Sequence, residues 1–403
     1  MKKLYTLFII ATITWFGLSS CSDEAFDVDS VNKQTILVFM PWSGSESGTG
    51  LYSNFKENLD SINRGIIANK GLKNSRVLVF LSVPEKSSNN LHKSYLYELQ
   101  YNSSTKEVET VTLDTYDDNF YTKAEGITAL LNEVKEKAEA LNYAMIIGGH
   151  GCGWTYATDW QDYPNNAKSM MSLSRFCGSV SDINTYGIDI PTLAKGIEGS
   201  GIKLQYLLFD ACYMGNVETA YELRNATNYL IASTSEVMDK GMPYYRAWSY
   251  LCSSAPNYSS IVSSFNSFYT SYSYPYGTLA AIDCRQMDKL AALMKELNAN
   301  YTITNDKLAG VQRLDGFTQP LFYDLGNYVD SLAPSGVLKD QFNTQLNATV
   351  KSAKATENIV SMLYHTTVTY EVKDFSGLTI SDPSSFPVAQ RGKEKTSWWK
   401  ATH

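Results

Sequence analysis

Residues Thr35–Met40, with the sequence TILVFM, form an unbroken apolar run of strand length. Three later runs share this character, namely 76–83 (RVLVFLSV), 143–147 (YAMII) and 203–209 (KLQYLLF). A strand that is apolar on both faces is typical of a parallel sheet covered by helices on both sides. Helical patterns alternate with these runs, over 51–68, 123–141, 190–199 and 216–224. The alternation predicts an α/β fold with a mostly parallel central sheet flanked by helices.

Outside this alternation, the chain predicts a hairpin over 92–113 and a long stretch without periodicity over 155–189. Beyond residue 250 the patterns become more helical. Helices are predicted there over 261–272, 285–299, 323–332 and 338–353, and short strands over 278–282, 359–363 and 377–380; a further strand is predicted over 229–233, before this point. We therefore expect a main domain over 34–250 and a smaller C-terminal α+β region over 251–403 that packs on it.

The N-terminus predicts export. Lys2 and Lys3 precede an apolar segment that is too short for a membrane span, which is the pattern of a signal peptide over 1–20. The segment ends in Leu18-Ser-Ser-Cys21, which resembles a bacterial lipobox, so Cys21 is the predicted lipidation site. A plain secretory leader is the alternative. We expect an acidic tether over 21–33 and an outer-membrane lipoprotein, at the cell surface or on the periplasmic side.

Composition narrows the function. The chain has 403 residues and a net charge of −7, which becomes −9 without Lys2 and Lys3. No basic stripe is present, so nucleic acid is an unsuitable partner. Five cysteines remain after Cys21, which is an odd number for an oxidising compartment. At least one thiol is therefore unpaired within the chain, either because it is buried or because it is catalytic.

Two reactive side chains follow neighbouring apolar strands. His150, between Gly149 and Gly151, comes after the third strand, and Cys212 comes after the fourth. Ligands bind beyond the carboxyl ends of parallel strands, so both side chains belong at the same edge. A thiol with a pKa of about 8.5 needs a nearby base to become a nucleophile. The pair thus predicts a Cys/His peptidase site, with backbone N–H groups as oxyanion donors.

Each residue also has a structural interpretation. Cys212 could be a buried small hydrophobe, His150 a turn residue and Asp210 a loop or helix-capping carboxylate. Cys152 could bind a metal together with His150, but the sequence has no CxxC pair and no second His at ligand spacing. No loop of EF-hand type is present either. We predict no metal site and no required cofactor, and leave calcium open.

A longer motif favours catalysis. Residues 206–223, YLLFDACYMGNVETAYEL, together with His150-Gly151, closely resemble the clostripain (C11) cysteine peptidases. Similar stretches extend the resemblance from about residue 34 to the end. It implies a caspase-like sandwich of clan CD, with the catalytic domain over 34–250. It also implies a dyad of His150 and Cys212 and oxyanion donors from the backbone of Gly151 and Cys212.

The resemblance further implies cleavage after Arg or Lys. Asp210, two residues before the nucleophile, then lines the pocket for the basic P1 side chain, and Glu236 or Asp239 is a candidate second acid. Self-activation between His150 and Cys212 is implied as well, with Lys168 and Arg175 as candidate cleavage sites. The first loop, 41–48, lacks the Asp-Asn pattern of the family. A non-proteolytic surface binding or adhesion protein on the same scaffold is the alternative function, and a reshaped specificity pocket is a third.

Overall fold

The computed structural model of the chain describes residues 32–44, 50–84, 92–117, 120–161, 177–178, 187–363 and 366–403. The predicted signal peptide, Cys21, Lys168 and Arg175 lie outside the described residues. No helix in the described part is both long and apolar enough to cross a membrane.

The strands of the described part are β1 (Gln34–Met40), β2 (Ser75–Pro84), β3 (His92–Asn102), β4 (Glu107–Tyr116), β5 (Asn142–Gly148), β6 (Cys177–Gly178), β7 (Gly187–Ile188), β8 (Leu207–Asp210), β9 (Tyr229–Ala232), β10 (Thr278–Asp283), β11 (Tyr323–Asp324), β12 (Val350–Ala355), β13 (Asn358–Ser361), β14 (Val368–Glu371) and β15 (Thr379–Ile380).

The α-helices of the described part are α1 (Tyr52–Ala68), α2 (Ala124–Lys137), α3 (Ala157–Gln161), α4 (Ile190–Gly199), α5 (Val217–Glu222), α6 (Tyr244–Leu251), α7 (Tyr258–Ser271), α8 (Met287–Asn300), α9 (Asn305–Leu308), α10 (Leu325–Leu332), α11 (Val337–Thr349), α12 (Pro387–Gly392) and α13 (Ser397–Thr402).

Nine of the described strands form one sheet, in the order β12-β10-β9-β8-β5-β1-β2-β3-β4. The five central strands, from β9 to β2, are parallel, and both edges continue with antiparallel strands. The apolar runs of the sequence are the central strands, as predicted. The sheet also crosses the boundary predicted at residue 250, because β10 and β12 belong to it.

Both faces of the sheet are buried under helices. In β1, Leu37 and Phe39 face the layer of α2, α4 and α8, whereas Ile36 and Val38 face the layer of α1, α6 and α7. This alternation explains the continuous apolar sequence, since neither face meets water. Burying each such side chain contributes on the order of 1.5–3 kcal/mol to folding. A third cluster of buried side chains, around Trp154 and Phe322, lies beside the edge of the sheet where the parallel strands end.

The structure differs from the sequence-based predictions in two places. The predicted helix over 338–353 ends at Thr349, and Val350 begins β12, which pairs with β10 at the edge of the sheet. Tertiary pairing here overrides good local helix formers. Helix α6 was not predicted; it begins after Pro243 and packs Ala247 and Trp248 into the core beneath α1.

Candidate active site

The register of the two central strands places His150 beside Cys212. Strands β5 and β8 are parallel neighbours, with Gly148 opposite Asp210. The Gly149 amide donates to the Asp210 carbonyl over 3.4 Å, which continues the pairing past the last residues of both strands. His150 and Cys212 each follow two residues later, so both leave the sheet at the same edge.

The imidazole of His150 is held by packing. Its ring lies against the indole of Trp42, with centroids 5.7 Å apart, and only 3% of His150 is exposed. Trp42 comes from the loop after β1, the neighbouring strand on the other side. The first loop therefore contributes an aromatic wall to the site, although it lacks the Asp-Asn pattern of the family.

The turn after Cys212 is sharp and firmly held. Tyr213 has a φ of 61°, which is rare for a bulky side chain. Its amide donates to the Ser235 carbonyl over 3.0 Å, its ring stacks on Phe322 at 5.2 Å, and its hydroxyl donates to Glu236 over 2.8 Å. Such a conformation persists only where the surroundings impose it. These contacts fix the direction in which Cys212 leaves the strand.

The sulfur of Cys212 lies against the segment after β9. The Val237 amide donates to Sγ over 3.3 Å, and the Val237 carbonyl lies 3.8 Å from Sγ. An N–H group aimed at sulfur stabilises negative charge there. Cys212 is buried, with 4% exposed, but its side chain borders a pocket that it shares with His150.

This pocket, of about 50 Å³, brings the predicted residues together. Its lining includes His150, Cys212 and Asp210 from the sheet edge, Asn58 from α1, and Asp239 from the segment that follows β9. In the described part, the site is therefore a narrow pocket lined by an imidazole, a thiol and two carboxylates.

Gly151 lies against the backbone of Cys212. A methyl group built on its Cα would meet the Cys212 carbonyl oxygen at 2.4 Å and the Cys212 nitrogen at 3.0 Å. Only glycine allows the two chain segments to approach so closely. The Gly151 and Cys212 amides, predicted as oxyanion donors, are thus in adjacent backbone segments.

Asp210 is the deepest acid of the pocket. Oδ1 accepts from the Met242 amide and Oδ2 from the Tyr244 hydroxyl, both over 2.9 Å. Burial raises the pKa of Asp210 to about 6, although both hydrogen bonds oppose this shift. Gly241 leaves room for the carboxylate, since a Cβ there would meet both oxygens at 2.7 Å. An incoming cation would offset the cost of burying this charge.

The structure separates the two candidates for a second acid. Glu236 faces away from the pocket, because it accepts from Tyr213 and from the Met362 amide, so it holds local structure. Asp239 borders the pocket, and its carbonyl accepts from Asn54 on α1 over 3.0 Å. The sequence did not predict the contacts of Val237 with Cys212, or of Met242 and Tyr244 with Asp210. Each contact joins positions far apart in the chain, and two of them are made by backbone amides.

The C-terminal segment holds the turns that follow His150 and Cys212. On the Cys212 side, Thr379 donates its amide to the Gly215 carbonyl, and the Ser381 amide donates to Glu218 over 2.7 Å. On the His150 side, the Trp154 indole donates to the Ser381 hydroxyl, over 2.9 Å. Lys395 forms an ion pair of 2.7 Å with Asp159, in the helix that follows Trp154.

Two buried acids, Glu218 and Asp382, lie where the C-terminal segment packs against α5. Burial, and then the charge of Asp382, raise the pKa of Glu218 well above its usual value. Burial also raises the pKa of Asp382 to about 7, although Trp398 donates to it and Lys393 is nearby. One oxygen of each carboxyl group has no hydrogen-bond partner in the described part. The folded protein therefore favours their protonated forms.

Cys252, Cys284 and His403 do not line this pocket. Burial raises the pKa of Cys252 to about 11 and that of Cys284 to about 12, which makes both poor nucleophiles. His403 stacks on Trp399 at the C-terminus, and His365 lies outside the described residues. Among the described residues, no group of three or more His, Cys, Asp or Glu side chains is arranged to hold a metal ion.

Comparisons with known proteins agree with this architecture. A model of the clostripain family, Peptidase C11, matches residues 52–391, which is most of the chain. A secreted C11 cysteine protease from Bacteroides thetaiotaomicron, iotapain, is 39% identical, with a TM-score of 0.81; the match covers 93% of this chain and all of that one. A comparison with curated proteins gave no match.

Two further structures are informative. A clostripain from Bacteroides thetaiotaomicron, in complex with the peptide inhibitor BTN-VLTK-AOMK, is 46% identical, with a TM-score of 0.52; the match covers 55% of this chain and 96% of that one. An inactive zymogen C11 protease from Parabacteroides distasonis shares the fold at 22% identity, with a TM-score of 0.75 and coverage of 92% and 98%. The chain described here belongs to the clostripain family of cysteine peptidases, with the caspase-like fold of its relatives.

Proposed function

We propose that this peptidase cleaves polypeptides after arginine or lysine, with Cys212 as nucleophile and His150 as its base. The observation that carries the proposal is the shared pocket, which is lined by the thiol of Cys212, the imidazole of His150 and the half-buried carboxylate of Asp210. Acidic side chains in a narrow pocket suit a guanidinium or an ammonium group. The lysine at the end of VLTK, in the inhibitor bound by the 46%-identical relative, supports this specificity.

In the proposed reaction, His150 removes the proton from Sγ of Cys212, and the thiolate attacks the carbonyl carbon of the basic residue. The amides of Gly151 and Cys212 donate to the oxyanion. His150 then returns the proton to the leaving amine as the C–N bond breaks, which leaves a thioester. Water, deprotonated by His150, attacks the thioester and releases the acid and the thiol.

The direct test uses protein lacking residues 1–21 and reporter peptides with Lys, Arg or Met at P1. We expect turnover of the Lys and Arg reporters, and its loss in Cys212→Ala and in His150→Ala. Cys252→Ala, which removes another buried thiol, should keep its activity. Turnover by Cys212→Ala would refute the assignment. Absence of turnover and of labelling by a thiol-reactive Lys probe would instead support a binding protein on this scaffold.

Self-activation in the 155–190 segment is part of the proposal, with Lys168 and Arg175 as the cleavage sites. A C11 protease that shares the fold at 22% identity is described as an inactive zymogen. After a cut there, β5 and β8 would still pair, so the two pieces would remain together. N-terminal sequencing of matured protein should find new ends after residue 168 or 175, and Lys168→Gln with Arg175→Gln should remove them. An unbroken, active chain would contradict this step.

We also propose that a lipid on Cys21 anchors the enzyme to the outer membrane. The secreted C11 relative supports export, and the lipobox-like end of the leader supports the anchor. Cells fed an alkyne fatty acid should label the wild-type protein but not Cys21→Ser. Equal labelling of both would exclude the anchor, and a secreted, unlabelled wild type would indicate a plain leader.

A further inference from the structure

A second and larger cleft lies beside the catalytic pocket. It measures about 820 Å³ and lies between the outer face of α1 and the ends of α6 and α7. Asn58 lines both openings, and its side chain donates to the Lys240 carbonyl over 3.1 Å. The segment 239–243, which carries one wall of the catalytic pocket, therefore also forms one wall of this cleft.

Two arginines of the cleft, Arg64 and Arg246, stack on aromatic rings and are not paired with a carboxylate in the described part of the chain. Arg64 lies over the ring of Tyr245 at 5.4 Å, and Arg246 lies over Phe268 at 5.5 Å. In the described part of the chain neither forms an ion pair with a carboxylate, whereas Lys240, the third cation, pairs with Glu57 at 2.7 Å. Both arginines are exposed. Stacking on a ring orients a guanidinium and leaves its N–H groups free to donate.

The chemistry of the cleft fits one kind of side chain. With Asp60 and Glu57 counted against Arg64, Arg246 and Lys240, the lining keeps a net positive charge. A planar guanidinium binds a carboxylate through two parallel hydrogen bonds. The rings of Tyr245 and Phe268 add apolar walls beside it. The preferred occupant is thus a polypeptide segment with an acidic residue next to an apolar one.

We propose that this arginine cleft, defined by Arg64, Arg246, Tyr245 and Phe268, is a second recognition site for the substrate. It binds an acidic side chain a few residues from the basic residue at the cleavage point. The inference depends on the proposed peptidase function.

The spacing along α1 gives the distance between the two subsites. Arg64 follows Asn58 by six residues, which is about 9 Å at 1.5 Å per helical residue. An extended peptide advances about 3.3 Å per residue. The acidic residue is therefore expected about three residues from P1, and positions two to four on either side of the cleaved bond are to be tested.

The experiment uses internally quenched peptides with Lys at P1, in which Glu, Gln or Lys occupies one of these positions. At one position the Glu peptide should have a kcat/KM roughly threefold to tenfold above the Gln peptide, mostly through KM, as for a partly exposed charged pair. The difference should shrink at high salt. Arg64→Gln with Arg246→Gln should remove it, and leave hydrolysis of a short Lys reporter unchanged.

Arg224→Gln is the matched control, because Arg224 also lies over a ring, that of Tyr221, but away from this cleft. It should keep the preference for Glu. Equal rates for Glu and Gln at every position, with the short reporter still cleaved, would overturn the cleft proposal alone. Loss of the short reporter in the double variant would also overturn it. If wild type fails to cleave the short reporter, the proposed peptidase specificity fails instead.

Discussion

The hydroxyl of Tyr244 donates to Oδ2 of Asp210 over 2.9 Å, so the proposed specificity acid is held by a residue from the helix beneath the pocket. Burial raises the pKa of Asp210 to about 6, and the hydrogen bond from Tyr244 partly opposes this rise. Tyr244→Phe should therefore raise that pKa and shift binding of basic side chains to higher pH.

The measurement is the ratio of kcat/KM for Lys and Met reporters, because a pH effect on the steps that both reporters share cancels in the ratio. In wild type the ratio should rise with pH through about 6, where Asp210 becomes ionised, and in Tyr244→Phe the rise should come later. Tyr206→Phe is the control, because Tyr206 donates to the Leu251 carbonyl and not to Asp210. An unshifted ratio in Tyr244→Phe would show that another group sets the preference.

Asp210→Asn removes the charge but keeps the shape of the pocket. A hydrogen bond to a charged group is worth about 1.5–3 kcal/mol, so the Lys-to-Met ratio at pH 7.5 should fall roughly tenfold to a hundredfold. Asp239→Asn should have a smaller effect, because Asp239 is exposed at the rim. A larger loss in Asp239→Asn would make Asp239 the main specificity acid.

Gly151→Ala tests the close approach of the turns at His150 and Cys212. The new methyl group would meet the Cys212 carbonyl at 2.4 Å, so the backbone must move and the proposed oxyanion donors with it. We expect kcat to fall on the order of a hundredfold, as for loss of one oxyanion donor. Gly336→Ala is the control, since nothing lies within 4 Å of its Cα substituent. Full activity in Gly151→Ala would exclude this amide from the reaction.

The buried acids make stability depend on pH. The folded-state pKa of Asp382, about 7, lies above that of an unfolded chain, about 4, so the folded state binds the proton more tightly. The free energy of unfolding should therefore decrease as pH rises from about 4 to 7. Asp382→Asn should show a shallower decrease in chemical denaturation than wild type and than Asp288→Asn, an exposed acid paired with Arg224. Equal slopes would contradict the assignment.

The sequence predicted the central sheet because its strands are buried on both faces. Thr35–Met40 and Tyr143–Ile147 show this in their unbroken apolar residues, which no exposed strand could keep. Helix α6 escaped prediction because its aromatic residues have moderate helix propensity, and packing of Trp248 against α1 decides its form. Strand β12 was missed for a similar reason, since its partner β10 is far away in the sequence.

In the candidate site, His150, Cys212 and Asp210 were predicted from their place after apolar strands and from the resemblance to the family. The structure places them around one pocket, but their roles in the reaction stay predictions. Tyr244 carried no local signal, because its contact with Asp210 depends on how α6 folds back. Glu236 and Asp239 were equal candidates for a second acid in the sequence. The structure distinguishes them, because Glu236 accepts from the Tyr213 hydroxyl whereas Asp239 lines the pocket.

The dependence of the turns at His150 and Cys212 on residues 379–395 bears on when the proposed site can form. Protein synthesis proceeds from the N-terminus, so His150 and Cys212 leave the ribosome before Ser381 and Lys395. Until those last residues arrive, Trp154, Gly215 and Glu218 lack their partners. We expect a chain that stops before residue 379 to be inactive, so that unfinished or truncated copies do not cleave the proteins around them.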